Sequence, residues 1–255
     1  MCLLIVLRGR FASHPVLVAS NRDERRDRKA SPPGLWVGER HRAISPRDRQ
    51  AGGTWLAVGD SGLFAGITNR KDVPVPPGAA TRGALPHLAV DAGDLAGAVA
   101  AVQRAVAAQP FGGFQLVLCD GVRTVVLRND GARLDRLDWS DELLIVSNEH
   151  GPGELTLPGL EPAVAPRGSP EAQLEALQPL LLLTGSSGEH RVLKRGADYG
   201  TVSSSLIAVP RNDPLQLVWR FAAGPPDVNE YRNYGNLGRR LLRDGSDLSR
   251  DRPPL

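Results

Sequence analysis

The chain has 255 residues, of which 41% are hydrophobic and 23% charged, so it is long and apolar enough to form one globular domain with a large core. Its formal net charge is +3, but basic residues alternate with acidic ones, as in residues 22–28, which argues against a nucleic-acid site. No apolar run approaches the roughly 18 residues of a transmembrane helix, and the two cysteines form no CxxC pair. We therefore expect a cytoplasmic protein without a transmembrane segment.

Short apolar runs separated by turn residues predict strands. In chain order, the predicted strands cover residues 3–7, 54–58, 63–68, 114–118, 122–127, 133–137, 143–147, 199–209 and 215–221. The sequence Gly59-Asp60-Ser61-Gly62 and the dipeptide Asp120-Gly121 are typical of tight hairpin turns. Neighbouring strands are therefore expected to pair antiparallel.

Two helices are predicted from the residues that begin them. Asp94 is typical of a helix N-cap, and the helix after it is expected to end near Gln109, while Ser169 followed by Pro170 predicts a second helix start. Antiparallel hairpins combined with amphipathic helices favour an α+β layered domain, which we place at residues 1–225. Residues 226–255 are polar, with alternating charges, and predict a C-terminal extension that is partly disordered or forms a peripheral helix.

The second residue is a candidate nucleophile. Removal of Met1 would leave Cys2 at the terminus, with its thiol beside its own α-amine. The reference pKa of such an amine, about 7.7–8.0, suits a general base near neutral pH. A buried strand beginning at Leu3 would hold the thiol rigidly. The structural alternative is that Cys2, like Cys119, is a small buried hydrophobic residue.

A series of short motifs follows Cys2 along the chain. The first is the run from His14 to Glu24, which contains Asn21-Arg22-Asp23-Glu24. The later motifs are Arg47-Asp48, Ala51 to Leu56, Ile67 to Arg70, Thr81 to Gly83, Gly112 to Leu116, Val146 to Asn148, and Tyr199 to Thr201. This ordered series resembles the NRDE family, to which Transport and Golgi organisation protein 2 belongs.

The resemblance implies an N-terminal-nucleophile hydrolase-like fold, an αββα four-layer sandwich of two antiparallel sheets covered by helices. Similarity to choloylglycine hydrolases and penicillin V acylase within that fold implies that Cys2 is the nucleophile. It also implies that Arg22 lowers the pKa of the thiol and that Asp23 orients the α-amine, although Asp23 and Glu24 could exchange roles. Asn69 resembles the asparagine that stabilises a tetrahedral oxyanion. The residues that we predict to bind substrate are Asn21, Glu24, Arg70, Trp55 and Asn148.

Two functions agree with this pattern. The first is hydrolysis of a linear amide in an N-acyl small molecule, through a thioester on Cys2. The second is non-catalytic binding or trafficking of heme, acyl-CoA or lipid, because the NRDE family has been linked to heme trafficking, to lipid and acyl-CoA handling and to Golgi organisation. The family usually has an arginine after Tyr-Gly-Thr, where this chain has Val202, and that departure argues for weak hydrolysis or none.

A small molecule is the expected partner, and no cofactor is predicted. Heme as a bound ligand would need an axial residue, for which Cys2 and His14 are candidates. An acyl-CoA would need arginines for its phosphates, and Arg22, Arg25 and Arg70 are available. The five histidines are scattered without metal-site spacing, so no metal is predicted.

Overall fold

The computed structural model describes residues 2–185 and 191–242. The strands within these residues are β1 (Leu3–Arg8), β2 (Val16–Arg25), β3 (Ala30–Val37), β4 (Arg42–Asp48), β5 (Leu56–Gly59), β6 (Phe64–Asn69), β7 (Phe114–Cys119), β8 (Thr124–Asn129), β9 (Leu134–Trp139), β10 (Leu143–Ser147), β11 (Tyr199–Val209), β12 (Val218–Ala222) and β13 (Arg232–Asn233). The helices are α1 (Ala84–Asp91), α2 (Leu95–Ala108), α3 (Leu160–Val164) and α4 (Pro170–Leu177), with 3-10 helices at Gln178–Leu182, Pro214–Gln216 and Gly235–Leu241.

The strands form two antiparallel sheets. The first sheet has the order β10-β1-β2-β11-β12-β13, and the second has the order β3-β4-β5-β6-β7-β8-β9. The second sheet follows the chain, because each of its strands pairs with the next one. In the first sheet, β1 and β2 form a central hairpin between β10 and β11, so the N-terminus lies inside a sheet.

Strand β1 explains why the N-terminal apolar run is continuous. Leu4 and Val6 pack between the two sheets, whereas Leu3, Ile5 and Leu7 pack against helices on the outer face of the first sheet. Both faces of the strand are covered, so apolar side chains are buried at every one of these positions.

Helices cover the outer face of each sheet. Helices α1 and α2 pack on the second sheet, and α3, α4 and the 3-10 helix at Gln178–Leu182 pack on the first. The predicted N-caps are present: the side chain of Asp94 accepts a hydrogen bond from Gly97 N at 2.7 Å, and that of Ser169 accepts one from Ala172 N at 3.2 Å. With a third apolar cluster between the sheets, the predicted αββα four-layer sandwich is confirmed.

Several elements that were not predicted contain proline, among them β3, β4 and α1. Strand β3 holds Pro32 and Pro33, which are tolerated because β3 is an edge strand with a register shift between Ser31 and Gly34. Strand β4 holds Pro46. Helix α1 has Pro86 in its first turn and no side-chain cap.

The predicted boundary at residue 225 does not mark the end of the packed structure. Strand β13 pairs with β12, and Leu241, only 4% exposed, belongs to the apolar cluster between the sheets. The predicted peripheral helix corresponds to the 3-10 helix at Gly235–Leu241, and residues 243–255 lie outside the described residues. None of the helices in the described ranges is long and apolar enough to cross a membrane.

Candidate active site

Cys2 is fixed where two neighbouring strands end. Because β1 pairs with β10, Leu3 lies opposite Ser147, and Cys2 therefore lies beside Asn148. The backbone nitrogen of Cys2 donates a hydrogen bond to Oδ1 of Asn148, and Asn148 N donates to the carbonyl oxygen of Cys2 at 3.3 Å. Asn148 thus holds the residue that carries the thiol, whereas it was predicted to bind substrate. Met1 lies outside the described residues.

The Cys2 thiol lies against the backbone of Asp23. Asp23 N donates to Sγ at 3.4 Å, and Sγ lies at the same distance from Asp23 O. Burial, followed by the negative charge of Asp23, raises the pKa of the thiol, and the opposing effect of Arg22 is smaller. The expected lowering of the thiol pKa by Arg22 is therefore outweighed.

The two acidic residues of the first motif have different partners. Oδ1 of Asp23 accepts a hydrogen bond from Thr201 Oγ1 at 2.7 Å, because Asp23 and Thr201 are paired in the β2–β11 ladder. Burial raises the pKa of the Asp23 carboxyl, although the positive charge of the amino terminus and this hydrogen bond oppose the shift. Glu24 instead approaches Arg28 at 3.4 Å and Arg22 at 3.7 Å. Only Asp23 therefore has the partners expected of the residue that orients the amine.

Arg22 is packed beneath the thiol in a charged network. Its guanidinium carbon lies 4.4 Å from the ring centre of Trp55, and Nη2 lies 3.5 Å from Oδ2 of Asp48. Asp48 also accepts a hydrogen bond from Arg28 Nε at 2.7 Å. Burial would raise the pKa of Asp48, but hydrogen bonds from Ala51 and Gln50 and the charges of both arginines hold it below its usual value. The network keeps Arg22 in place while leaving its Nη1 without a hydrogen-bond partner in the described residues.

These groups surround a cavity of about 300 Å³, which we call the thiol cavity. Its polar wall includes Cys2, Arg22, Glu24, Asp48 and Arg82. Its apolar wall is formed by Trp55, Ile67, Val75, Ala79 and Ala80. Asn69, at the end of β6, also lines the cavity. Within the described part of the chain, no hydrogen bond engages its side-chain amide.

Two predicted binding residues and one proposed phosphate contact lie elsewhere. Asn21 points to the outer helical layer, where its Nδ2 donates to Leu181 O at 2.8 Å. Arg70 pairs with Asp72 and does not line the thiol cavity. Arg25 is exposed and pairs with Asp27. Neither Asn21 nor Arg25 lines the thiol cavity, whereas the three residues between them, Arg22 to Glu24, do.

The sequence motifs contained three site residues whose roles were not predicted. Asp48 anchors Arg22, Arg82 lines the cavity while donating to Gly113 O at 2.9 Å, and Thr201 binds Asp23. All three belong to the motifs given above, so the sequence indicated these positions but not the contacts that they make. Gly53 shows why the motifs are close together: a Cβ there would lie 2.4 Å from the backbone of Gly83, so glycine permits the two loops to touch.

The position of Val202 differs from what its motif implied. The β2–β11 pairing shifts register between Thr201 and Ser203, so Val202 is the extra residue of a β-bulge. It lines a second cavity and not the one that contains Cys2. Position 202 is therefore not part of the wall of the thiol cavity.

His14 does not lie near Cys2. It precedes β2, at the opposite end of the β1–β2 hairpin, which is about 20 Å long by the usual rise per residue. Its Nε2 lies 2.9 Å from Gln216 O. The two candidate axial residues therefore cannot hold the same heme. In the ranges described, no group of three or more His, Cys, Asp or Glu residues could hold a metal ion.

Comparisons with known proteins place the chain in a family. The fold is similar to that of a variant of conjugated bile acid hydrolase from Clostridium perfringens, with a TM-score of 0.48, 11% identity, and coverage of 91% of this chain and 92% of that chain. It is also similar to the Caenorhabditis elegans ortholog of N-acylethanolamine-hydrolyzing acid amidase, with a TM-score of 0.47, 13% identity, and coverage of 81% and 92%. No curated protein matches the chain significantly by sequence. Residues 1–156 match the family model described as Transport and Golgi organisation 2, and since that match covers more than half of the chain, the protein belongs to this family.

Proposed function

We propose that the chain, once Met1 is removed, is an N-terminal-nucleophile amidohydrolase that cleaves a linear amide in an N-acyl small molecule. The observation that carries the proposal is the position of Cys2, whose thiol lines the thiol cavity while its backbone nitrogen is bound by Asn148. Removal of Met1 would turn that nitrogen into an α-amine at the same place. Nucleophile and base would then belong to one residue.

Acylation begins with attack of the Cys2 sulfur on the carbonyl carbon of the amide. The α-amine takes the thiol proton, and the electrons of the carbonyl double bond move onto oxygen. The side-chain amide of Asn69 stabilises this oxyanion, and one such donor typically contributes about 2.7–4 kcal/mol. The C–N bond then breaks, the departing amine takes the proton from the α-ammonium group, and a thioester remains on Cys2.

Deacylation uses the same groups. Water attacks the thioester carbonyl while the α-amine removes its proton, and the C–S bond breaks to release the carboxylic acid and restore the thiol. The raised pKa of the Cys2 thiol supports this use of a base, because a protonated thiol must lose its proton during attack. Asp23, held by Thr201, would orient the amine in both steps.

The thiol cavity favours a compact substrate. Its volume of about 300 Å³ is at the small end of typical ligand sites. Apolar side chains such as Ile67 and Val75 suit the acyl group, and Arg22 and Arg82 suit a polar group on the other side of the amide. We therefore propose a short or medium acyl group joined to a polar amine.

The test is hydrolysis of a panel of N-acyl amides by protein whose loss of Met1 has been verified by intact mass. We expect wild type and Cys119→Ala to release the amine, and Cys2→Ala to release none while keeping the same unfolding midpoint. Cys119 is a suitable control because it is the second free cysteine and is fully buried away from the cavity. Absence of turnover across the panel, or equal turnover by Cys2→Ala, would refute the proposal.

The alternative is a non-catalytic carrier of heme or acyl-CoA that uses the same cavity. Buried Arg22 beside Arg28 and Arg82 is the observation that favours an anionic ligand such as acyl-CoA. A saturable rise in melting temperature with acyl-CoA, weakened by Arg22→Ala and accompanied by no turnover of any amide, would favour the carrier.

A further inference from the structure

A second cavity adjoins the thiol cavity and shares Arg22 and Arg28 with it, but Cys2 does not line it. Its volume is about 340 Å³, and strands β2, β3, β11 and β12 contribute to its wall. Four of its lining residues are basic, namely Arg22, Arg26, Arg28 and Lys29, and no acidic residue lines it within the described ranges. This composition differs from the thiol cavity, where arginines and acids are mixed. We call it the basic cavity.

Two buried polar atoms on the wall of the basic cavity have no partner. Nη1 of Arg22 and Oγ of Ser203 make no hydrogen bond in the described part of the chain, although the two residues are only 6% and 3% exposed. Arg22 and Ser203 are directly opposite each other in the β2–β11 ladder, so the two atoms belong to neighbouring side chains. Buried donors without partners are costly and rare, and a pair beside one cavity indicates a missing acceptor.

The remaining basic groups are arranged around these two atoms. Arg22 contacts Asp48 and Glu24 through Nη2, which leaves its Nη1 free of these acids. Arg28 contacts the same two acids through Nε and Nη1. Both acids line the thiol cavity. Arg26 donates through Nε to Gly196 O at 2.8 Å, and its terminal nitrogens make no ion pair in the described ranges. Arg26 and Lys29 are exposed, so they form the rim, while Arg22 and Ser203 form the floor.

We propose that the basic cavity binds the oxyanion group of a small molecule, either a phosphate or a carboxylate. The acceptor oxygens of such a group would satisfy Arg22 Nη1 and Ser203 Oγ at the floor, and Arg26 and Lys29 would add charge at the rim. The site is distinct from the Cys2 thiol and does not depend on hydrolysis.

The test is calorimetric titration of the full chain in the Cys2→Ala background, which removes any turnover. Inorganic phosphate and acetate are the two probes, at ionic strength held constant with chloride. We expect saturable binding of one probe at one site, with phosphate alone indicating a phosphate ligand and acetate alone a carboxylate ligand. Ser203→Ala should weaken binding about fivefold, the effect of one hydrogen bond, and Arg26→Ala should weaken it by a similar factor or more.

Arg25→Ala is the matched control. This substitution removes the same charge as Arg26→Ala at the preceding position. Arg25, however, pairs with Asp27 and lines neither cavity. Its affinity for the probe should equal that of the parent. Absence of saturable heat with both probes, or equal weakening by Arg25→Ala and Arg26→Ala with no effect of Ser203→Ala, would overturn the proposal. Because catalysis is absent from the assay, this result is independent of the amidohydrolase proposal.

Discussion

Burial and the nearby positive charges act in opposite directions on the pKa of the Cys2 thiol. Burial and Asp23 raise its pKa, whereas the positive charges of the amino terminus and of Arg22 lower it. In a chain that retains Met1, alkylation of Cys2 by iodoacetamide should therefore accelerate only at a pH above the usual range of cysteine. Removal of Met1 should lower the pH midpoint of this alkylation, because the ammonium group then belongs to Cys2 itself.

Cys119 is the internal reference for this alkylation experiment. It is fully buried, and burial also raises the pKa of its thiol, so we expect it to react at least about tenfold more slowly than Cys2. Peptide mapping of singly alkylated protein gives the two rates. Equal rates, or a Cys2 midpoint that does not depend on Met1, would contradict the assigned environment.

Thr201 is expected to control the ionisation of Asp23. Its hydroxyl donates a hydrogen bond to the Asp23 carboxylate, which lowers the pKa of that group, so Thr201→Val should raise this pKa further. The acidic limb of the pH–rate profile should then move to higher pH. Below the midpoint, kcat/KM should fall about tenfold, the effect of one hydrogen bond to a charged group. Thr201→Ser keeps the hydroxyl and should retain the wild-type profile. Identical profiles for Val and Ser would argue that Thr201 does not act through Asp23.

Some candidate site residues could be named from the motifs, but the directions of their side chains could not. Cys2 and Arg22, from the first sheet, line one cavity with Asn69, from the second. Asn21 does not line it, because its side chain points to the helices and donates a hydrogen bond to Leu181 O. The contact between Arg22 and Asp48 joins residues far apart in sequence, and no local pattern contains it.

The helix α1 carries a buried neutral histidine. His87 stacks on Trp36 with ring centres 4.4 Å apart, and its Nε2 lies 2.9 Å from Ser45 Oγ. Burial, aided by the charge of Arg47, lowers the pKa of His87 from 6.5 to about 4. Between these values the unfolded chain binds a proton that the folded chain does not, so the free energy of unfolding falls as the pH falls.

Replacement of this side chain should reduce the acid sensitivity of the fold. From pH 7 to pH 5, His87 should cost the wild type about 2 kcal/mol of unfolding free energy, a loss that His87→Gln should not show. Urea unfolding of both proteins at the two pH values measures the difference. Parallel losses of stability in the two proteins would contradict a buried neutral His87.

Among the elements, β1 and α2 have regular patterns and were predictable, whereas the proline-containing strand β3 was not. Strand β1 and helix α2 were predicted from an apolar run and from Asp94, which indeed caps the helix. Strand β3 begins with Ala-Ser-Pro-Pro-Gly, a sequence that is typical of a loop. It becomes a strand because its neighbour β4 provides hydrogen bonds on one side, and this support comes from the tertiary structure.

At the scale of the whole molecule, the residues after 225 contribute to the core between the sheets. Leu241 is 4% exposed, whereas its neighbour Leu242 is 44% exposed. Leu241→Ala should reduce the free energy of unfolding by about 2–5 kcal/mol, and Leu242→Ala should change it by less than about 0.5 kcal/mol. Denaturant unfolding measures both. A small effect of Leu241→Ala would restore the predicted boundary at residue 225.

The αββα arrangement could be predicted because two kinds of sequence evidence agreed. The strand and helix patterns favoured antiparallel hairpins with helices, and the ordered motifs resembled a family with that fold. The basic cavity could not be predicted from the sequence. Its wall includes residues of β2, β3, β11 and β12, and these strands come together only in the folded sheets. The bulge at Val202 likewise depends on the register of β11 against β2, which the motif at residues 199–201 does not specify.

Acid-quenched intact mass during incubation with an N-acyl amide tests the central claim most directly. For protein without Met1, the account predicts a transient mass increase equal to the acyl group, located on the Cys2 peptide and absent in Cys2→Ala. Amide cleavage without an adduct on Cys2, or an adduct on Cys119 alone, would contradict a thioester mechanism at the N-terminal cysteine.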